Sequence, residues 1–198
     1  MQSRYKTVEF CADICLPVTT AAAASAIYEA AAAMLTKADL SRIADRRTRL
    51  AELKQKQLAA AEEAAQKAGR RRPLHPLWVH YQVGKILVPE AILIDDTLGG
   101  MPPAYHSRTK PSTYFKSGGS TGGWGSGAAF GAKVARPDCD VVLTSGDGYF
   151  MFGTPLAALW CGGYHKAPFL SVVFVNKSYS TGDHGLQDTY PEGVAVAT

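Results

Sequence analysis

The 198-residue chain reads as an α/β protein, a parallel sheet flanked by helices and preceded by a long helix, and three observations carry that reading. From Pro73 onward, short apolar runs alternate with helix-like segments. One of these runs, Val141-Val142-Leu143-Thr144, leads directly into the turn Gly146-Asp147-Gly148. Another, Phe169 to Val175, is apolar throughout and rich in β-branched residues. Strands apolar on both faces, separated by helices, imply a parallel sheet covered on both sides, with ligands expected at the strands' carboxyl ends.

Taken in order, residues 1–38 begin with a β-like stretch, Thr7 to Leu16. An Ala-rich helix follows over 21–33, which Thr19 or Thr20 can cap. This is little material for a domain and reads as the last strand and helix of something larger. Residues 39–69 form one long polar helix, within a linker region 39–72. Asp39 is placed as its N-cap and Gly69 as its stop. Leu40, Ile43, Leu50, Leu53 and Leu58 make a narrow apolar stripe, and Asp45/Arg49 and Glu63/Lys67 are i,i+4 acid–base pairs. The heptad is too irregular for a coiled coil, so a connecting helix on the surface of a larger protein is expected. Region 73–198 then gives a helix from Pro76 to Leu87, a strand Ala91–Ile94 and a Gly/Pro/Ser-rich loop from Leu98 to Gly122. A helix about Trp124–Ala135, a strand Asp140–Thr144, a helix Pro155–Gly163 and the strand Phe169–Val175 complete it.

Lys and Arg exceed Asp and Glu by 21 − 17 = 4, much of it in runs such as Arg70-Arg71-Arg72. No broad basic face is present, so nucleic acid is not an expected partner. No apolar run reaches the roughly 20 residues that cross a bilayer, and the N-terminus has no signal-peptide core. The expected setting is cytoplasmic. Cys11, Cys15, Cys139 and Cys161 lack metal-ligand spacing and read as reduced thiols. The histidines are scattered, with no pair at metal-ligand spacing. His184 faces either solvent or substrate.

Gly146-Asp147-Gly148 alone is compatible with an ordinary turn. Its glycines also suit a sharp bend that presents N–H groups to an anion, with a carboxylate at the strand tip for a hard cation. The second half is Asn176, at the end of the next apolar run, whose side-chain oxygen can reach the same ion. A carbonyl near Ser178 or Tyr179 can add another ligand. Mg²⁺ requires six oxygens in a tight octahedron, and two diphosphate oxygens and a water would complete the set. Asp95 and Asp96 end an apolar run and read equally as turn residues or site residues. Gly123, Gly127 and Gly131, spaced i,i+4, suggest close packing of a helix on the sheet. The segment 123–128 also fits a dinucleotide fingerprint loosely, but Ser112–Ser117 makes a poor preceding strand.

Gly146-Asp147-Gly148, a helix containing Leu159-Trp160, Pro168, an apolar strand and then Asn176 together resemble the thiamine-diphosphate motif. The match is closest to the acetolactate synthase and benzoylformate decarboxylase group. Upstream, residues 122–132 look like the Gly-rich segment and helix preceding that motif. Residues 40–97 look like the linker helix and the opening helix and strand of the diphosphate-binding domain, and 1–38 like the end of the middle domain. The resemblance implies thiamine diphosphate and Mg²⁺ as cofactors, with Asp147, Asn176 and a carbonyl at Ser178 or Tyr179 on the metal. Gly122, Gly146, Gly148 and Tyr149 would line the cofactor, Gly148 and Tyr149 through their N–H groups. It further implies a 2-oxo acid substrate in the complete enzyme, and a homo-oligomer or a separate pyrimidine-binding half.

Three departures from the family pattern stand out. Val175-Asn176 replaces Asn-Asn. The gap from Asp147 to Asn176 is a couple of residues longer, assigned to Phe152–Pro155. Gly122 aligns with the bulky aliphatic residue that props the bent cofactor. No counterpart of the family's catalytic Glu is found. The reading is therefore a C-terminally truncated diphosphate-binding portion with no catalytic residue of its own. A non-catalytic remnant, or a nucleotide-binding module, are the rival readings.

Overall fold

In a computed structural model, the residues described are 16–98, 108–117, 122–178, 186–190 and 192. They fall into two compact units, one up to Gln55 and one from Lys56 onward.

The first unit holds α1 (Thr20–Met34) and the start of α2 (Lys37–Ala68). Thr19 caps α1, its Oγ1 accepting from Ala22 N at 3.4 Å, and no α1 residue is buried. The start of α2 differs from expectation. Thr36, not Asp39, is the cap: Thr36 Oγ1 accepts from Asp39 N at 3.2 Å while the Asp39 carboxylate accepts from Thr36 N at 2.9 Å. Asp39 therefore occupies the third helical position of a reciprocal capping box. Of the two expected acid–base pairs, Glu63–Lys67 closes to 2.7 Å; Asp45 and Arg49 form no ion pair. Leu40, Leu50 and Leu53 stay exposed.

In the second unit the end of α2 packs through Ala65 and Ala68, and Gly69 lets the helix stop flush against the Trp78 ring, where a Cβ would stand 2.8 Å from the indole. α3 (Pro76–Ile86) starts on His75, whose Nδ1 accepts from Leu77 N, with Pro in the first turn where its missing N–H costs nothing. β1 (Ile92–Asp96) runs two residues further than expected and so takes both aspartates into the strand. β2 (Tyr114–Lys116) lies in the segment that read as a poor strand; parallel pairing with β1 (Leu93 opposite Tyr114) overrides its weak propensity. α4 (Gly125–Ala135), β3 (Val141–Gly146), the short α5 (Asp147–Phe152), α6 (Pro155–Tyr164) and β4 (Leu170–Phe174) follow.

The sheet is parallel with order β2-β1-β3-β4. Ile92, Ile94, Val141 and Leu143 point to one face and pack on Ala128, Ala129 and Ala132 of α4. Leu93 and Val142 point to the other, onto Val79 and Val83 of α3. Both faces of the central strands are thus covered, which explains their unbroken apolar runs. The chain turns one way from β1 to β2 and the other way from β3 to β4, so the β1/β3 boundary is a switch point with a crevice at its carboxyl end.

Arg108 holds the α3–β1 connection together. Its buried guanidinium donates to the carbonyls of Leu87, Val88 and Ala91 at 2.8–3.1 Å. The expected helix-on-sheet role of Gly127 and Gly131 is not what the structure shows, since neither has an atom within 4 Å of its Cβ position. The close approach belongs to Gly125, where a Cβ would stand 2.6 Å from both Asp96 Cβ and Leu143 Cδ1. Helical periodicity places 125, 128, 129 and 132 inward and turns 127 and 131 away. Among the described residues no helix is long and apolar enough to cross a membrane.

Candidate functional site

The polar residues gather at the carboxyl end of the sheet. β3 ends at Gly146, opposite Phe174 of β4, so Asp147 and the segment 175–178 leave neighbouring strands side by side. A hydrogen bond joins them: Lys177 N donates to Asp147 Oδ2 at 3.0 Å. The other carboxylate oxygen accepts from Gly148 N at 2.9 Å. Asn176 Oδ1 accepts from Ser178 N at 3.1 Å, a turn that brings the Asn oxygen back over its own backbone. Lys177 takes a left-handed backbone with φ of 59°. Gly148 N–H, expected to face a diphosphate, is engaged by Asp147 here. Tyr179 and His184 lie outside the described residues.

Gly146 was expected to make a sharp bend, but its φ is an ordinary −75° and no atom comes within 4 Å of its Cβ position. The bend comes one step later, where α5 begins. α5 is only six residues long because Gly153 and Thr154 break it; Thr154 has φ 49° and ψ 57°, costly for a β-branched residue. This break lies in the Phe152–Pro155 segment to which the extra length was assigned.

Gly122 meets the site through Tyr149. A Cβ on Gly122 would stand 2.2 Å from Tyr149 Cγ, so the ring fills the space a side chain at 122 would need. Gly123, at φ +93°, takes a conformation L side chains rarely adopt, and its carbonyl oxygen stands 2.1 Å from the Cβ position of Gly153. Backbone thus presses on backbone between the Gly-rich segment and the α5–α6 break.

Asp96 anchors that segment from the other side. Its Oδ2 accepts from Gly123 N at 3.0 Å and Gly125 N at 3.2 Å. Burial pushes its carboxyl pKa up, against the lowering effect of those two amides. Asp95 points to the opposite face, where it accepts from Thr97 N and Oγ1, from the Tyr114 hydroxyl at 2.7 Å and from Lys116 Nζ at 3.2 Å. Burial raises the Asp95 carboxyl, but the hydrogen bonds from Thr97 and Tyr114 and the charge of Lys116 hold it below its usual value. Of the two readings left open for these aspartates, Asp95 is a strand-end structural residue and Asp96 is the staple of the Gly-rich segment. Sequence reasoning missed Asp96's role. The available signal was a carboxylate at the end of an apolar run that a helix start elsewhere must satisfy.

The same staple argues against the dinucleotide reading. The first amide of α4 and that of Gly123 just before it, where a pyrophosphate would sit, already serve a carboxylate. Cys139 and Cys161 are free thiols; Cys11 and Cys15 lie outside the described residues. Among the described residues no group of three or more His, Cys, Asp and Glu side chains could hold a metal.

Among the described residues, a parallel α/β sheet of four strands thus carries a carboxylate and an amide side chain at adjacent strand tips, at the carboxyl end where sheets of this class bind ligands. Residues 99–196 match the C-terminal TPP binding domain of the thiamine pyrophosphate enzymes. The chain belongs to the thiamine-pyrophosphate-dependent enzymes, as part of their C-terminal TPP-binding portion. Among curated relatives, the acetolactate synthase of Mycobacterium leprae is 39% identical over 80 residues, 39% of this chain and 13% of that protein. The probable acetolactate synthase of Mycobacterium bovis is 31% identical over 151 residues, 71% of this chain and 27% of that protein. The chain thus spans little more than a quarter of the second relative and less of the first. Benzoylformate decarboxylase from Polynucleobacter necessarius shares the fold, with a TM-score of 0.52 at 22% identity over 63% of this chain and 24% of that one.

Proposed function

We propose that Asp147 and Asn176 hold a Mg²⁺ ion against the diphosphate of thiamine diphosphate, and that the chain serves as the diphosphate-binding part of a 2-oxo-acid decarboxylase or acetolactate synthase-like enzyme. The observation that carries this reading is the Lys177 N to Asp147 Oδ2 hydrogen bond at 3.0 Å. It draws the Asn176 strand end onto the Asp147 strand end, so one carboxylate and one amide side chain share a small region. The donors suit the ion. Carboxylate, side-chain amide and main-chain carbonyl oxygens are hard ligands of the kind Mg²⁺ takes. The carbonyl at Ser178 or Tyr179 is assigned to the same set.

Open space at Gly146 supports the same assignment. Neither its backbone angle nor any neighbour requires glycine there, whereas an incoming phosphate group would. Gly148 and Tyr149 are assigned to the diphosphate through their N–H groups; Gly148 N would exchange Asp147 Oδ1 for a phosphate oxygen. Tyr149, backed by Gly122, would form a wall of the cofactor site. When bound, thiamine diphosphate supplies the carbon nucleophile and electron sink for 2-oxo acid chemistry. This chain's own residues bind its diphosphate end and orient it.

The pyrimidine end is assigned to residues outside the part described, in a pyrimidine-binding half or across a homo-oligomer interface, and we assign the whole to the cytoplasm. Residues 1–38 are assigned to a middle domain, 39–72 to a linker and 73–198 to the cofactor domain. Leu156, Trp160 and Tyr164, spaced i,i+4 on α6, form an exposed apolar stripe, and Met151 and Phe152 of α5 are exposed as well. A stripe of this kind supports contact with such a partner. The alternative, a non-catalytic remnant, shares the binding residues and differs in turnover.

Titration calorimetry of the chain with thiamine diphosphate, with and without Mg²⁺, tests the binding reading. Mg²⁺-dependent binding that Asp147→Ala abolishes is expected, because the substitution removes the only charged protein ligand of the set. Undiminished affinity in Asp147→Ala would overturn the assignment. Assay of the complete assembly with 2-oxo acids separates an enzyme part from a remnant.

A further inference from the structure

Where α3 packs on the sheet, two buried polar side chains, His80 of α3 and Thr144 of β3, lie beside the apolar residues Val83, Leu93 and Val142. His80 is 2% exposed and Thr144 fully buried, and His80 Nδ1 and Thr144 Oγ1 are both buried without a hydrogen-bond partner. An unpaired buried polar atom costs stability that an apolar residue would not. Both lie toward the carboxyl end of the sheet. The His80 imidazole stacks on Phe174 at 4.6 Å between centroids and 11° between planes. Phe174 is the last residue of β4 and pairs with Gly146. Asp147 follows Gly146 directly, and Asn176 stands two residues beyond Phe174. His80 therefore supports the end of β4, which pairs with the end of β3.

We propose that His80 is a positioning residue: its imidazole, clamped by α3 against Phe174, sets where Asn176 and Lys177 stand relative to Asp147. This rests on the strand-end reading of the cofactor site and names the device that keeps the site assembled. The charged groups facing the ring are Asp95 from β1 and Lys116 from β2, while β3 and β4 present the uncharged Thr144 and Phe174. Burial, opposed by Asp95 and aided by Lys116, lowers the imidazole's pKa to about 4, so the ring is neutral in ordinary conditions. An aromatic ring without nitrogens would stack equally well, and an alanine would leave Phe174 unsupported.

The test compares His80→Ala, His80→Phe and Val83→Ala in the full chain. Val83 is buried on the same helix but packs on Leu93 and Val142, back from the strand ends. Two readouts are taken: Mg²⁺-dependent thiamine diphosphate affinity by calorimetry, and amide-proton protection of Lys177 by NMR without cofactor. His80→Ala should weaken affinity at least tenfold and reduce Lys177 protection. Val83→Ala should lower thermal stability but leave both readouts near wild type. His80→Phe should keep neutral-pH affinity and lose its decline between pH 6.5 and 4. Wild-type Lys177 protection in His80→Ala, or equal losses in Val83→Ala, would overturn the proposal. Failure of the unmutated chain to bind the cofactor would instead count against the function reading, with Lys177 protection still deciding the role of His80.

Discussion

Replacing Asp96 by Ala removes one oxygen that serves two amides 27 and 29 residues away. Hydrogen bonds to a charged acceptor contribute about 1.5–3 kcal/mol each. The two do not add fully, because both converge on Oδ2 and burial of the carboxylate opposes them. After truncation the half-buried Gly123 N–H can take water, whereas the buried Gly125 N–H cannot readily, at a cost of about 1–3 kcal/mol. The expected net loss is about 2–4 kcal/mol. Urea unfolding followed by circular dichroism would read this as a fall in midpoint of about 1–2 M, given slopes of roughly 1–3 kcal/mol/M. Asp96→Asn keeps an acceptor oxygen and should cost less than half as much.

The pH response provides the internal check. Burial holds the Asp96 carboxyl above its unfolded value of 3.8, so the folded state binds the proton more tightly. That contribution is fully present below pH 3.8 and is lost as pH rises through the folded value. Asp96→Asn should flatten this decline. A loss below about 0.5 kcal/mol in Asp96→Ala, where ordinary surface substitutions fall, or an Asn variant as unstable as the Ala one, would refute the staple.

Gly122→Leu places atoms inside the Tyr149 ring, with the first at 2.2 Å. Overpacking of about 1–3 kcal/mol is expected by thermal unfolding, together with weaker thiamine diphosphate binding. Arg108→Leu leaves three carbonyls without their shared donor and should destabilise by about 2–4 kcal/mol in urea, with cofactor affinity unchanged once the chain is folded. His80 gives an acid-side dependence of opposite sign to Asp96. Its pKa falls from 6.5 to about 4 on folding, so its contribution is complete above pH 6.5 and is lost as pH falls toward 4. About 3 kcal/mol is at stake, and His80→Phe should remove that slope from the pH-dependence of urea unfolding.

Much of the architecture was legible in residue order alone. The apolar run before Gly146 is satisfied by burial on two faces, and that requirement specifies a helix-covered parallel sheet; the β-branched run before Asn176 also forms a strand, but as a half-exposed edge, with Leu170 and Val175 open to solvent. Pro76 and Gly69 marked a helix start and a helix end through backbone chemistry that is local. The pairing of Asp147 with the Asn176 segment was likewise legible as spacing, since consecutive parallel strands in a βαβ unit usually lie side by side.

What the sequence could not carry was anything decided by atoms distant along the chain. β2 is a strand because β1 offers it a pairing edge, not because Tyr114-Phe115-Lys116 prefers extension. Thr36 and Asp39 differ as caps by a single helical register, which the reciprocal bond between them settles. Asp95 and Asp96 are chemically identical neighbours. Strand alternation sends one to the Tyr114 and Lys116 face and the other to the start of α4, and only the placement of those elements gives the two carboxylates different work. Local chemistry chose the elements, and close packing among them chose which side chains meet.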